Sequence, residues 1–127
     1  MALLSVSTAT ISNLTNNTGG TISGNNNQGI SLRSGGSITS TLTNGGTISG
    51  RSAGIGMRGN GSGSPSIGSL TNSGTISALT SSPRGISMTN GASIGSLTNT
   101  GTISGRTVFS CAVALALVQS AFPALAL

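Results

Sequence analysis

The chain has 127 residues and contains no Asp, Glu, His, Trp or Tyr, and its five basic residues are all arginine. General acid–base catalysis needs a side chain that titrates near neutral pH, and neither a histidine nor a carboxylate side chain is present. A serine nucleophile would lack its base, and a hydrolytic metal ion would lack ligands. The composition therefore predicts a protein that is not an enzyme, with no catalytic residue, no cofactor and no metal.

Charged residues make up 4% of the chain and aromatic residues 2%, whereas about a quarter of the residues of a globular domain are charged. Because no acid is available as a partner, we expect every arginine to lie at the surface; these are Arg33, Arg51, Arg58, Arg84 and Arg106. Arg33 and Arg58 follow the same segment in successive repeats, which allows them to stack in one row. With so few charges and almost no aromatic rings for base stacking, we expect no nucleic-acid partner.

One motif recurs four times along the chain. Its copies are ISNLTNNTGGTISG (11–24), ITSTLTNGGTISG (38–50), IGSLTNSGTIS (67–77) and IGSLTNTGTISG (94–105). The shared leucine falls at Leu14, Leu42, Leu70 and Leu97, in steps of 28, 28 and 27 residues. A fixed period of about 20–50 residues is typical of a stacked array of repeats. Disorder is the alternative for a Gly/Ser/Thr/Asn-rich chain, but the constant phase of Ile and Leu favours order.

Within each repeat, apolar and polar residues alternate with a period of two, which indicates short strands with Ile or Leu inward. A third alternating segment follows the TIS motif; its copies are residues 29–32, 54–57 and 85–88. Three strands and three turns in about 27 residues predict a parallel β-helix, or β-solenoid, of about four coils over residues 1–106. Antiparallel hairpins are the competing arrangement, because Asn44-Gly45 and Asn90-Gly91 are hairpin-turn signals.

Stacked coils bring identical residues together. The recurring asparagines are then expected to form a ladder of side-chain amides; they are Asn16, Asn44, Asn72 and Asn99. The repeats differ mainly in their turns, and the third repeat has the longest loop, residues 59–66. We interpret this Gly/Ser loop as extra spacing rather than as a binding element.

At the string SLTNSGTIS, with a GI segment following, the sequence resembles the passenger region of bacterial autotransporter proteins. Nearly all of residues 11–106 fits the pattern. The resemblance implies a right-handed parallel β-helix that is secreted or displayed on the bacterial outer membrane. The export signal and the outer-membrane barrel of that family are not visible in the sequence, so we expect a fragment, a truncated reading frame or a stand-alone relative.

The composition changes abruptly after Arg106. Residues 107–127 lose the Gly/Asn pattern and become mostly Ala, Leu and Val. Three interpretations are open: a cap over the end of the solenoid, a membrane-associating segment of about the required 20 residues, or a misplaced stretch similar to the apolar core of a signal peptide. At the other end, residues 1–4 lack the basic and apolar regions of a signal peptide.

The TIS segments are expected to turn two hydroxyl-bearing side chains outward on every coil. This possible surface array consists of Thr21, Ser23, Thr47, Ser49, Thr75, Ser77, Thr102 and Ser104. Such a surface predicts a structural or adhesive module that hydrogen-bonds to glycans, a host surface or neighbouring chains. The alternative is ice binding, because the rows resemble the Thr-x-Thr rows of β-helical antifreeze proteins. Self-association through the open coil ends is a third possibility, since an exposed strand edge is a template for pairing.

Overall fold

The computed structural model describes residues 4–80 and 84–111, with side chains at all of these except 5–7 and 108–111. The strands in this part of the chain are, in order, β1 (Leu4–Ser7), β2 (Thr10–Asn16), β3 (Thr21–Gly24), β4 (Gln28–Arg33), β5 (Ser37–Asn44), β6 (Thr47–Gly50), β7 (Ala53–Arg58), β8 (Ser66–Asn72), β9 (Thr75–Ala78), β10 (Arg84–Thr89), β11 (Ser93–Asn99), β12 (Thr102–Ser104) and β13 (Thr107–Cys111). The described residues form no helix, and therefore none that is long and apolar enough to cross a membrane.

The strands form three sheets in which every third strand is a neighbour. Sheet A has the order β1-β4-β7-β10-β13, sheet B the order β11-β8-β5-β2, and sheet C the order β12-β9-β6-β3. Every pair of neighbours within these sheets is parallel. The chain is therefore a parallel β-solenoid, and the hairpin alternative is wrong.

One coil consists of a sheet B strand, a sheet C strand and a sheet A strand. The coils run from residue 10 to 33, from 37 to 58, from 66 to 89 and from 93 to 111, and β1 precedes the first. The chain climbs about three turns between the first and the fourth coil, with a spacing close to the predicted 27 residues. The strand Thr107–Cys111 pairs with β10, so the sheet continues past residue 106.

The remaining residues of the apolar tail, 112–127, lie outside the described part of the chain, as do residues 1–3. The alternatives of a cap, a membrane-associating segment and a misplaced signal-like stretch therefore remain predictions.

The core is a set of apolar columns inside the three sheets. Ile48, Ile76 and Ile103 stack in sheet C, and each is at most 1% exposed. The leucines of sheet B and the Ile and Leu or Met residues of sheet A form matching columns; those fully buried are Ile30, Leu32, Leu42, Ile55, Met57, Leu70, Ile86, Met88 and Leu97. The predicted inward positions of Ile and Leu are confirmed.

The register has one irregularity that the repeat pattern does not predict. In sheet B, Ile38 pairs with both Ile11 and Ile67, but β5 then has one residue more than its neighbours before the aligned leucines. The extra residue forms a β-bulge. A side chain at Gly68 would place its Cβ 2.6 Å from the carbonyl oxygens of Thr39 and Ser40 in this bulge. Glycine is therefore the residue that fits beside the bulged strand.

Candidate binding surfaces

The hydroxyl residues of sheet C lie in two columns along the solenoid. Thr21, Thr47, Thr75 and Thr102 pair with one another in register, as do Ser23, Ser49, Ser77 and Ser104. Parallel strands are separated by about 4.8 Å, so each column repeats its hydroxyl group at that interval. In the described part of the chain, none of these eight hydroxyl oxygens takes part in an intramolecular hydrogen bond. Their hydrogen-bonding capacity is available to a ligand or to water.

The two columns differ in accessibility. The threonine column is continuous: Thr21 is exposed, and the other three members are partly exposed. The serine column is partly exposed at three coils, but Ser49 is only 7% exposed. A ligand that lies along sheet C can therefore contact every threonine, whereas the serine column is nearly covered at the second coil.

A buried asparagine ladder lies at the corner between sheets B and C. The Nδ2 atom of each asparagine donates to the Oδ1 atom of the next; the distances are 2.8 Å for Asn16 to Asn44, 2.7 Å for Asn44 to Asn72, and 2.7 Å for Asn72 to Asn99. The predicted ladder is confirmed, and its members are at most 7% exposed. A buried amide needs partners, and this ladder supplies them inside the protein.

The same ladder holds the threonine column in place. Asn16 donates to the backbone carbonyl of Thr47 at 3.2 Å, and Asn44 donates to that of Thr75 at 3.1 Å. Asn72 donates in the same way to Thr102 at 3.1 Å. Each asparagine therefore links its own coil to the threonine of the next coil. The contacts fix the backbone of these three partly exposed threonines.

A column of glycines precedes the threonines. A Cβ atom at Gly46 would lie 2.2 Å from the carbonyl oxygen of Gly20, and one at Gly74 would lie 2.0 Å from that of Gly46. Those same carbonyls accept the backbone N–H of Thr47 at 2.9 Å and of Thr75 at 2.8 Å. The corner is too tight for a side chain, which explains why glycine stands before the TIS motif.

The predicted arginine row is also confirmed; it lies at the C-terminal ends of the sheet A strands. Arg33 on β4 pairs in register with Arg58 on β7. The same row continues to Ser7 on β1 and to Thr89 on β10. A groove of about 260 Å³ lies beside the pair, lined by Arg33, Ser34, Arg58, Gly59 and Asn60. Sequence reasoning identified the row but missed the groove, because the groove depends on how the loop after Arg58 folds.

That loop is well anchored. The corner after β7 has seven residues, 59–65, whereas the equivalent corners after β4 and β10 have three. Asn60 donates its side-chain N–H to the hydroxyl of Ser34 at 2.7 Å, in the coil below. In the coil above, Thr89 accepts the backbone N–H of Gly59 at 3.1 Å. The inserted residues are therefore bound to both neighbouring coils at the edge where the arginine row ends.

Known proteins offer no further guide to these surfaces: no family model, no curated protein and no solved structure matches this chain.

Proposed function

We propose that this chain is a non-catalytic structural and adhesive module whose sheet C face hydrogen-bonds to a repetitive polar partner, with glycans as the favoured class. The observation that carries the proposal is the unbroken threonine column, four hydroxyl groups in register that have no hydrogen-bond partner among the described residues. Hydroxyl groups donate and accept hydrogen bonds, as the hydroxyl groups of sugars do. The face is therefore chemically matched to a glycan chain.

The proposal of a non-catalytic role has its support in the composition. The full sequence has no histidine and no Asp or Glu side chain. In the described ranges, no three His, Cys, Asp or Glu side chains come together as a metal site. The polar groups in sheet C are hydroxyls and backbone amides, which bind without titrating near neutral pH.

The regular repetition of the threonines would increase the affinity of this surface for a partner. A single hydrogen bond exchanged with water contributes only about 0.5–1.5 kcal/mol, so one threonine binds weakly. Several sites that engage one chain at once increase the overall affinity without any stronger contact. A rigid solenoid keeps the spacing constant from coil to coil, which fits a partner that is itself a polymer.

The placement of this module follows the resemblance to autotransporter passengers. We propose that it forms part of a secreted or cell-surface shaft, in which stacked coils carry a binding face away from the membrane. The motif SLTNSGTIS and the parallel β-solenoid support this placement. Detection of the chain on the surface of intact cells by antibody labelling would test it, and exclusive recovery from the interior of the cell would contradict it.

The binding proposal can be tested by a glycan array with matched threonine variants. The test variant replaces Thr47, Thr75 and Thr102 with valine, which keeps the β-branched shape and removes the hydroxyl groups. The control variant makes the same change in the second threonine column, on sheet B, at Thr43, Thr71 and Thr98. We expect the test variant to lose glycan binding and the control to keep it, with both retaining the β-sheet circular dichroism spectrum. Equal binding by both variants would contradict the proposal.

Ice binding is the second candidate, and the same threonine column supports it. A face with hydroxyl groups in register about every 4.8 Å is similar to the ice-binding faces of β-helical antifreeze proteins. The low exposure of Ser49 weakens the two-column version of this idea. A thermal hysteresis measurement on the intact chain decides it. A difference between the melting and freezing temperatures that disappears in the sheet C valine variant supports ice binding, and no difference for the intact chain excludes it.

A further inference from the structure

The arginine row brings two positive charges together without a negative partner. Arg33 and Arg58 stand at equivalent positions of adjacent strands, which are about 4.8 Å apart. The whole sequence contains no Asp or Glu that could neutralise them. Adjacent like charges repel each other, and a bound anion would remove that repulsion.

Both guanidinium groups have donors to spare. Arg33 uses its Nε–H in a 3.1 Å hydrogen bond to the hydroxyl of Ser31, which leaves its two terminal amino groups for another acceptor. The Arg58 side chain is exposed, and its guanidinium makes no hydrogen bond within the described residues. The hydrogen bond to Ser31 orients the guanidinium of Arg33, and the donors of the Arg58 guanidinium are available on the adjacent strand.

The inserted loop completes a recess next to this pair. The Oγ atom of Ser34 accepts a hydrogen bond from the Nδ2 atom of Asn60. The hydroxyl proton of Ser34 therefore remains available to donate a hydrogen bond into the groove. Asn60 is held in turn, because its Oδ1 atom accepts the backbone N–H of Ser62 at 2.8 Å. Two arginines and one hydroxyl thus line a groove of about 260 Å³. Hydrogen bonds hold Arg33, Ser34 and Asn60 in place.

We propose that this groove binds a tetrahedral oxyanion, a sulfate or phosphate group, either as a free ion or as a substituent of a sugar. Charge-assisted hydrogen bonds from arginine to such oxygens are strong and directional. Two guanidiniums on adjacent strands and the Ser34 hydroxyl offer donors from more than one side, which suits four oxygens better than a planar carboxylate. The site lies at the end of sheet A and is independent of the hydroxyl face of sheet C.

The experiment is isothermal titration calorimetry, which measures the dissociation constant of the intact protein for sulfate and for phosphate. Sodium sulfate and sodium phosphate are titrated at low ionic strength, with sodium chloride as the reference salt. The test variants are Arg33→Gln and Arg58→Gln. The controls are Arg51→Gln and Arg84→Gln, which remove the same charge from exposed positions that do not line the groove. We expect each test variant to weaken sulfate binding at least tenfold and the controls to change it less than twofold. Equal losses in all four variants, or no saturable binding to the wild type, would overturn the proposal.

A third titration identifies the source of the anion. Glucosamine 6-sulfate that binds more tightly than sulfate, with the same dependence on Arg33 and Arg58, assigns the site to a sulfated sugar. Equal affinity assigns it to the free ion. Binding of the sugar sulfate that is insensitive to both arginines would contradict a site in this groove. The threonine variants of sheet C are expected to bind sulfate normally, so failure of the glycan proposal and failure of this one give different results.

Discussion

The first and third coils carry nearly the same residues but bury them to different degrees. Ile22 and Leu14 of the first coil are only partly buried, whereas their equivalents Ile76 and Leu70 in the third coil are fully buried. Among the described strands of sheets B and C, the third coil has neighbours on both sides, while the first has a neighbour on one side only. Burial in this protein is therefore a property of the interfaces between coils, as expected for a solenoid.

The largest difference should appear when a charge is placed inside the third coil. Ile76→Asp would bury a carboxylate without a partner, and we expect a loss of about 4 kcal/mol or more in the free energy of unfolding. The partly exposed Ile22 allows an aspartate to reach water, so Ile22→Asp should lose much less. Urea denaturation of both variants measures the difference.

The matched control for inward and outward positions is Thr75→Asp, one residue before Ile76. Thr75 is partly exposed, and an aspartate there should change stability by less than about 1 kcal/mol. If Ile76→Asp and Thr75→Asp unfold at the same urea concentration, the assignment of the two faces of this strand is wrong.

The asparagine ladder gives the next largest effect. Asn72→Ala removes the partner of two buried amides, Asn44 and Asn99, and should lower the free energy of unfolding by about 3 kcal/mol, because unsatisfied buried polar groups are costly. Asn16, at the first coil, makes a ladder bond on one side only, and Asn16→Ala should lose about 1 kcal/mol. Thermal melts of the two variants test this order, and equal losses would contradict it.

The glycine corner should show a smaller but clear effect. Gly74→Ala places a methyl group against the backbone oxygen of Gly46, so we expect a loss of about 2 kcal/mol as the corner shifts. Gly61→Ala is the control, because a Cβ atom there meets nothing within 4 Å. Calorimetry should show a lower melting temperature for the first variant only. If the Gly74→Ala protein were as stable as the control, the backbone at this corner would have room for a methyl group, and the steric explanation would be wrong.

The smallest effect is the loss of one methyl group. Ile76→Val should cost about 1 kcal/mol, since the cavity it leaves lies between two coils. Ile22→Val should cost half of that or less, because the site is already partly open to water. A larger loss for Ile22→Val would indicate that the first coil is covered in solution.

Much of this fold could be predicted from the sequence because stacking repeats the same physical problem in every coil. The positions of Ile76 and Leu70 follow from the period-two alternation, and the ladder through Asn72 follows from the 28- and 27-residue steps. The pairing of Arg33 with Arg58 also follows from phase alone. Such features depend only on which residues share a register.

Features that depend on contacts between turns could not be predicted. The loop 59–65 looks like extra spacing in the sequence, yet Asn60 bonds to Ser34 of the coil below and so forms a groove with Arg58. The near burial of Ser49 is a second example, because alternation alone places it on the outward face. The contact between Asn60 and Ser34 joins two coils and leaves no periodic signal in the sequence.

The claim that neighbouring coils stabilise each other is tested most directly by residue-resolved amide hydrogen exchange, measured by NMR on the intact chain. Strands β6 and β9 of sheet C each lie between two strands, whereas β3 has a partner on one side within the described ranges. Amides with a partner in an adjacent coil exchange only when that interface opens. We expect Thr47–Gly50 and Thr75–Ala78 to exchange more slowly than Thr21–Gly24. Uniformly fast exchange, or a first coil as protected as the interior ones, would contradict it.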